Sequence, residues 1–534
     1  MRLDEKGLEN TGVWEKAGIR LPGFPWEEMC AETRRAPVWI HFGGGNIFRG
    51  FIAGLQQDLL NKGEAKAGIT AVETFDYDLV EKIYRPFQNR ALMVTLFPDG
   101  KMAPEVVASV AESLRTGADY PQERERLREI FRSSSLQLAS YTITEKGYRL
   151  IGLNGGFTPE ILDDFQRGPE NCTHAMSLTA ALLWERFQGG ETPIALVSMD
   201  NCSRNGEKLR AGVLTVAEKW LENGFVSREF LNWIQDERVV SFPWTMIDKI
   251  TPRPAEAVER ELAARGIEGM APIVTEKGTY IAPFVNGERP QYLVVEDRFP
   301  NGRPPLERAG VYMTDRETVN QTEKMKVATC LNPLHTALAV FGCLLGYRSI
   351  AAEMKDPQLR ALVERIGYVE GLPVAADPGI MSPEAFLQEV TGQRLPNPFI
   401  PDTPQRIATD TSQKMAVRFG ETIKSYMERP ELDPAGLVGI PLVIAGWLRY
   451  LLGTDDEGQP MDCSPDPMLE SLRAQLGRLT PDSAPDQVLE PLLSNSQLFG
   501  ADLREARLMG KIGGMLREML VGPGAVRRTL EKYL

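Results

Sequence analysis

A lysine, an asparagine and a histidine fall within ten residues in the stretch Glu323-Lys-Met-Lys-Val-Ala-Thr-Cys-Leu-Asn-Pro-Leu-His335. A helical run, Thr336–Tyr347, follows directly. This set suits a metal-free interconversion of carbonyl and alcohol. Lys326 can move the hydroxyl proton, while the Asn332 amide and the His335 imidazole polarise the oxygen as alkoxide charge develops. The same residues also suit a buried amphipathic helix with a capping asparagine and a satisfied core histidine, so the choice rests on the rest of the chain.

A second stretch has the form of a phosphate cradle. The strand-like run Val38-Trp-Ile-His-Phe42 feeds into Gly43-Gly-Gly-Asn-Ile-Phe-Arg-Gly50, and Phe48, Phe51, Ile52, Leu55, Leu59 and Leu60 then follow helical spacing. Backbone N–H groups at such a helix start face a pyrophosphate, and glycine lets the backbone approach it. This makes Gly43, Gly45, Asn46 and Ile47 candidate dinucleotide contacts. Phe48 stands where a third glycine would complete GxGxxG. The next strand-like run, Ile69-Thr-Ala-Val-Glu73, ends in an acid. Glu73, or Asp76 just after it, could accept hydrogen bonds from ribose hydroxyls and repel a 2′-phosphate, which favours NAD over NADP. Two polar clusters, Thr144–Tyr148 and Met199–Gly206, follow the apolar runs Leu136–Ile143 and Ile194–Ser198. Ligand residues occupy such positions at the carboxyl edge of an open α/β sheet, although polar glycine-containing turns occur there without a ligand too.

These residues need two kinds of scaffold. Residues 1–310 read as an α/β Rossmann-like dinucleotide-binding domain, with further strand-like runs at Val239–Phe242, Met246–Ile250 and Tyr292–Asp297. From residue 311 to 534 the periodicity becomes helical, giving a mainly α-helical substrate domain. Helices are expected over Val327–Tyr347, Ser349–Ile366, Pro383–Thr391, Gln413–Met427, Gly439–Leu452, Met468–Leu479 and Asp502–Leu520. The lysine–histidine stretch lies just past the expected boundary, where a cleft between domains would form.

Composition narrows the function classes. The 534 residues are 43% hydrophobic and 25% charged, and the net charge of −13 argues against nucleic acid or an anionic membrane as principal partner. Six scattered cysteines without a CxxC pair fit reduced thiols. Three isolated histidines without HExxH argue against a catalytic metal. The polar Met1-Arg-Leu-Asp-Glu-Lys start and the absence of a bilayer-length apolar run point to the cytoplasm.

Several separated blocks together resemble one family, the mannitol dehydrogenases or polyol-specific long-chain dehydrogenases. His41–Phe51 resembles its nucleotide turn, GxG followed four residues on by Arg49. Thr142-Ile-Thr-Glu-Lys-Gly-Tyr148 is similar to its TxTEKGY block, and Ser198-Met-Asp-Asn-Cys-Ser-Arg-Asn-Gly206 to its S-x-D-N-x-x-x-N-G signature. Met246-Ile-Asp-Lys-Ile-Thr-Pro252, Glu296-Asp297 with the loop 299–307, Arg406 to Lys414, and Gly446-Trp-Leu-Arg-Tyr450 extend the likeness. The resemblance implies an NAD-linked, metal-independent oxidoreductase acting on an open-chain sugar derivative. It implies Lys326 as general acid/base, Asn201 and Asn332 as the oxyanion site, and His335 on the reacting oxygen. Arg406, Lys414, Asp248 and Lys249 fall to substrate binding, and Arg49 and Glu145 join the cofactor set. The family includes fructuronate (mannonate) and tagaturonate (altronate) reductases, and the blocks point first to reduction of a keto-uronate to an aldonate. A neutral polyol dehydrogenase is the second reading, and a non-catalytic NADH sensor the third.

One departure from the family pattern bears on mechanism. The family has lysine, four residues, asparagine, two residues, histidine; here five residues separate Lys326 from Asn332. On a regular helix the extra residue turns Lys326 roughly 180° from His335. Pro333 lacks an N–H and disrupts the bond to residue 329. A one-residue π-bulge or break between Val327 and Asn332 is therefore expected, keeping Lys326 on the His335 side. Lys324 shares that face without a bulge but lies roughly 16 Å along the axis.

Overall fold

The inner strands form on short, largely apolar runs, whereas the edge strand Val110–Arg115 also carries Glu112, Ser113 and Arg115. Trp39–Phe42 (β1), Ile69–Glu73 (β2), Val110–Arg115 (β3), Leu138–Tyr141 (β4), Ile194–Ser198 (β5) and Val240–Ser241 (β6) make one sheet in the order β3-β2-β1-β4-β5-β6. Every pairing in it is parallel. A parallel sheet covered on both faces must be apolar on both. In β5, Ile194 and Leu196 enter one core while Ala195 and Val197 enter the core on the opposite face. In β1, Ile40 and Phe42 share the first core and Trp39 lies in the second. Each fully buried side chain of this size contributes about 1.5–3 kcal/mol, so a one-residue slip in register is strongly disfavoured. The strand order reverses between β1 and β4, the position where open α/β sheets bind ligands at their carboxyl edge.

This computed structural model describes residues 1–152, 155–477 and 485–534. The chain divides into two units, Met1–Leu96 with Lys101–Val319 and Phe97–Gly100 with Asn320–Leu534. In the first unit two three-stranded sheets accompany the main one. Ala91–Leu96 lies between Phe284–Glu288 and Met102–Val107, and Tyr292–Glu296 between Thr245–Asp248 and Tyr312–Thr314. The last of these strands falls beyond residue 310, because its backbone completes the ladder on Tyr292–Glu296.

The second unit is built from helices. Arg316–Lys324 leads through Met325–Cys330 to Asn332–Leu344, and Gly439–Leu451 packs across that last helix. The approach is close: a Cβ on Gly446 would sit 2.6 Å from the Phe341 ring. The buried Glu370 carboxylate accepts the N–H groups of Val438 (2.7 Å), Gly439 (2.7 Å) and Ile440 (2.9 Å). It thus places negative charge on the positive end of Gly439–Leu451. The run expected at Ser349–Ile366 is split, because Asp356 and Pro357 start a new helix, Pro357–Glu364, with Asp356 accepting from Gln358 and Leu359. The last expected helix begins at Met509 rather than Asp502, after Arg507 adopts φ 59°. The helix expected over Met468–Leu479 is present as Leu469–Leu476, and its final residues lie outside those described.

One expectation is corrected. The helical path Arg316–Leu344 does hold an 18-residue window of mean hydropathy 1.5, enough by length and composition to cross a membrane. That window is 83% buried inside the fold, as for a core helix. Behind the same helix stands Glu353, fully buried, with neither carboxylate oxygen hydrogen-bonded to protein. Its Oε1 would be 2.2 Å from a Cβ on Gly342. Burial, with the Asp356 charge nearby, pushes the Glu353 carboxyl up to about 9. The folded chain therefore keeps a proton that the unfolded chain releases near the ordinary value of 4.5, so stability falls as pH rises between these values. At pH 7 the cost is roughly 3 kcal/mol. Glu353→Gln is expected to raise the melting temperature by an amount that grows from pH 5 to pH 8.5; parallel melting curves for variant and wild type across that range would refute the assignment.

Candidate active site

The chain leaves β1 at Gly43, whose N–H donates to the Val72 carbonyl of β2 at 2.8 Å. Gly43 has φ +105°, and a Cβ there would lie 2.1 Å from the Thr142 carbonyl oxygen, so only glycine fits. Gly44 lies against Tyr84, whose hydroxyl donates to the Gly44 carbonyl at 2.8 Å, and the space beside Gly45 is open. The helix starts at Asn46 and passes through a π-helical turn, Phe48–Ile52. Phe48 replaces the third glycine of the motif, and Gly50 supplies the close packing instead. A Cβ on it would meet Val285 at 2.7 Å. His41 serves this turn as a buried pin, stacked on Phe48 at 4.2 Å and bonded to Ser140 and Thr142, and burial lowers its pKa to about 3.

The candidate cofactor side chains are tightly engaged by protein. Arg49 is buried, donating to the Ala282 carbonyl (2.9 Å) and the Asn46 side-chain oxygen (2.8 Å), and thereby aligns Asn46. The Glu73 carboxylate turns under the glycine loop. One oxygen accepts the Gly44 N–H at 3.0 Å, and the other accepts those of Thr74, Phe75 and Asp76. Burial pushes its pKa up, against those four amides. Asp76 accepts from the hydroxyls of Thr275 (2.7 Å) and Thr279 (2.5 Å). Glu145 pairs with Lys208 at 2.6 Å.

At the carboxyl edges of β4 and β5 the two polar clusters meet. Asp200 accepts the N–H groups of Ile143 and Thr144, both at 2.9 Å, and the Tyr148 hydroxyl at 2.6 Å. Asn205 joins that cluster to the Thr245–Asp248 strand through the Thr245 carbonyl, N–H and hydroxyl. These bonds fix the loop that carries Asn201, which is exposed, and the strand that ends in buried Asp248. The Lys249 ammonium donates to the Glu288 carbonyl.

The lysine–histidine stretch contains the expected irregularity. Met325–Cys330 is a π-helical turn, starting two residues earlier than the expected break. Leu331 closes it, donating to the Lys326 carbonyl at 3.1 Å with φ −129° and ψ −62°, outside the α region. The Thr329 hydroxyl donates back to the Met325 carbonyl at 2.7 Å. Pro333 then falls in the first turn of Asn332–Leu344, where a missing N–H costs no helix bond. In an otherwise regular helix, absorbing one residue would bring Lys326 and His335 from opposed to roughly 80° apart in phase. Lys326 is buried. Lys324 is exposed and pairs with Glu421 at 3.7 Å.

His335 is held by a residue the sequence reading missed. Its Nε2 lies 3.3 Å from Oδ2 of Asp402, whose Oδ1 accepts from Arg406. Burial pushes the Asp402 carboxyl up, but the His335 imidazole and Arg406 guanidinium outweigh it and hold the group below the usual carboxylate range. The acid–base spacing of Asp402 and Arg406, four residues apart, is a signal that could have found it. Lys414 donates to the Ile407 and Thr409 carbonyls, and burial, with Arg418 and Arg406 nearby, lowers its pKa. Arg418 reaches the hydroxyl of Thr336, next to His335, and burial lowers it to about 10. Lys326, Asn332 and His335 thus follow one helical path, and Arg406 joins His335 through Asp402. Asn201, Asp248, Lys249 and the cofactor candidates belong to the first unit.

Residues 38–308 match the family model of the mannitol dehydrogenase Rossmann domain, and residues 318–520 that of the mannitol dehydrogenase C-terminal domain. A D-mannonate oxidoreductase of Thermotoga maritima is 53% identical, over 100% of this chain and 99% of its own. A Pseudomonas fluorescens mannitol 2-dehydrogenase, solved as a ternary complex with NAD and D-mannitol, is 25% identical with a TM-score of 0.70, over 100% of this chain and 99% of that one. The crystal structure of a substrate-free D-sorbitol dehydrogenase shares the fold at 24% identity, with a TM-score of 0.78 over 96% of this chain and 98% of that one. With both domain models matched in order and a relative aligned from end to end, the chain belongs to the mannitol dehydrogenase family.

Proposed function

We propose that the chain is an NAD-linked oxidoreductase that interconverts a keto-uronate and an aldonate, D-fructuronate and D-mannonate, in the cytoplasm. The D-mannonate oxidoreductase relative supports the substrate class. The π turn at Met325–Cys330 carries the catalytic reading, because it removes the obstacle that the lysine–histidine spacing raised. The glycine turn suits a dinucleotide: Gly43 and Gly44 bring backbone close to its neighbours, Gly45 faces open space, and the turn lies at the sheet's switch point. When bound, NAD supplies or accepts the hydride.

In this reading, Lys326 gives a proton to the substrate oxygen during reduction and takes it back during oxidation. The Asn332 amide donates to that oxygen as charge develops, with Asn201 assigned the same task by its motif. His335 binds the reacting oxygen. Arg406 and Lys414 receive the substrate carboxylate, Arg406 by exchanging its Asp402 partner for the substrate. Asp248 and Lys249 line the substrate from the strand they end.

An NADH-oxidation panel over fructuronate, tagaturonate, fructose and xylulose, repeated with NADPH, tests this directly. Fructuronate with NADH is expected to turn over fastest, and Lys326→Ala to lose at least about 100-fold in kcat. A preference for fructose would point to a neutral polyol dehydrogenase, and no turnover of any keto-sugar would point to an NADH-binding sensor. The register argument has its own test. Deleting Ala328 restores the family spacing and converts the π turn to α-helix, so activity is expected to persist within about tenfold. Inserting one alanine after Val327 is expected to abolish it; the opposite order of activities would refute the role of the turn.

A further inference from the structure

We infer that Asp402 is a positioning residue for the reaction: it sets the tautomer of His335 and holds the imidazole and the Arg406 guanidinium on one shared carboxylate. This rests on the reading of His335 as the residue on the reacting oxygen. The carboxylate is buried, and its two oxygens are divided between the two residues, Oδ2 to His335 Nε2 at 3.3 Å and Oδ1 to Arg406. Its backbone is fixed as well, because its carbonyl accepts the Ile350 N–H at 3.0 Å and its N–H donates to the Ile400 carbonyl at 2.8 Å.

An ionised carboxylate only accepts hydrogen bonds. We read the 3.3 Å approach as an Nε2–H turned toward the carboxylate, which leaves the lone pair of a neutral imidazole on Nδ1. In that state His335 accepts the hydrogen of a substrate hydroxyl, which orients the alcohol; it donates to a carbonyl oxygen only when doubly protonated. Without Asp402 either tautomer is open to the ring. The arrangement also links chemistry to recognition. A substrate carboxylate that draws Arg406 away from Oδ1 leaves Asp402 to His335 alone, whereas a neutral keto-sugar carries no anion to compete for Arg406.

Histidine labelling tests the tautomer without any substrate. The chain has three histidines, and His335→Ala assigns the relevant signal. With 15N-labelled histidine at a pH where the His335 ring is neutral, the wild type is expected to show a protonated Nε2 and an unprotonated Nδ1. A protonated Nδ1 would overturn the inference whatever the substrate is. Kinetics supply the second arm. Asp402→Asn is expected to lower kcat for oxidation of the aldonate by about 10- to 100-fold, as loss of an orienting carboxylate does, with the KM for NAD unchanged. In the double variant with His335→Ala, Asp402→Asn is expected to lower kcat by less than twofold further, because its effect on kcat acts through the histidine, while its hold on Arg406 is read in the KM for the sugar substrate. Equal losses in both backgrounds, or a wild-type kcat in Asp402→Asn, would overturn it. A wild type that turns over no keto-sugar would overturn the parent reading instead, while the labelling result still decides the tautomer.

Discussion

Pro333 has no N–H to give a helix, and the geometry of the lysine–histidine stretch depends on how the backbone answers that. In a regular helix residue 333 would bond to the Thr329 carbonyl. Here Leu331 reaches one residue further back, to Lys326, and leaves the α region, and a new helix starts at Asn332 with Pro333 in its tolerant first turn. The Thr329 hydroxyl donates to the Met325 carbonyl, a back-bond of the kind that bends helices. One extra residue is taken up within a largely buried π turn between Lys326 and Asn332.

The two units build their sites by different physical means. In the first, backbone geometry dominates: Gly43 with its positive φ, the inward Glu73 clasp on Gly44, and loops sewn together by Asp200 and Asn205. Glu73 and Arg49 hydrogen-bond to the turn, and Asp76 accepts the hydroxyls of Thr275 and Thr279. In the second, side-chain electrostatics dominate, with one carboxylate shared by a histidine and an arginine, and a lysine and a second arginine nearby held at lowered pKa by burial. Glu353, buried without a partner behind the same helix, adds a cost in stability that grows with pH. Such a cost is tolerable only in a unit with a large apolar core.

Much of this was legible before any coordinates. β2 and β5 have the expected bounds, and β1 and β4 lie within the expected runs, because buried parallel strands require unbroken apolar sequence. The antiparallel pair Ala91–Leu96 and Met102–Val107 was not anticipated. Its turn, Phe97-Pro-Asp-Gly-Lys101, is a local signal in the sequence, whereas its pairing with distant Phe284–Glu288 has none. The helix boundaries around Asp356 and Arg507 were missed because a side-chain cap and a left-handed residue override periodicity.

For the candidate site, the sequence by itself determined the residue types, their order and the register problem between Lys326 and His335, since these follow from counting along a helix. It marked Gly43 as part of a glycine turn that could cradle a phosphate, while the structure shows that a Cβ there would strike the Thr142 carbonyl. Only the tertiary structure decided that a π turn lies between Lys326 and Asn332 and that Glu73 accepts the Gly44 N–H. The same holds for Asp402, which joins His335 to Arg406. Those outcomes depend on which buried polar groups find partners, and residues 67 positions apart in the chain, such as His335 and Asp402, become partners only after the helices pack.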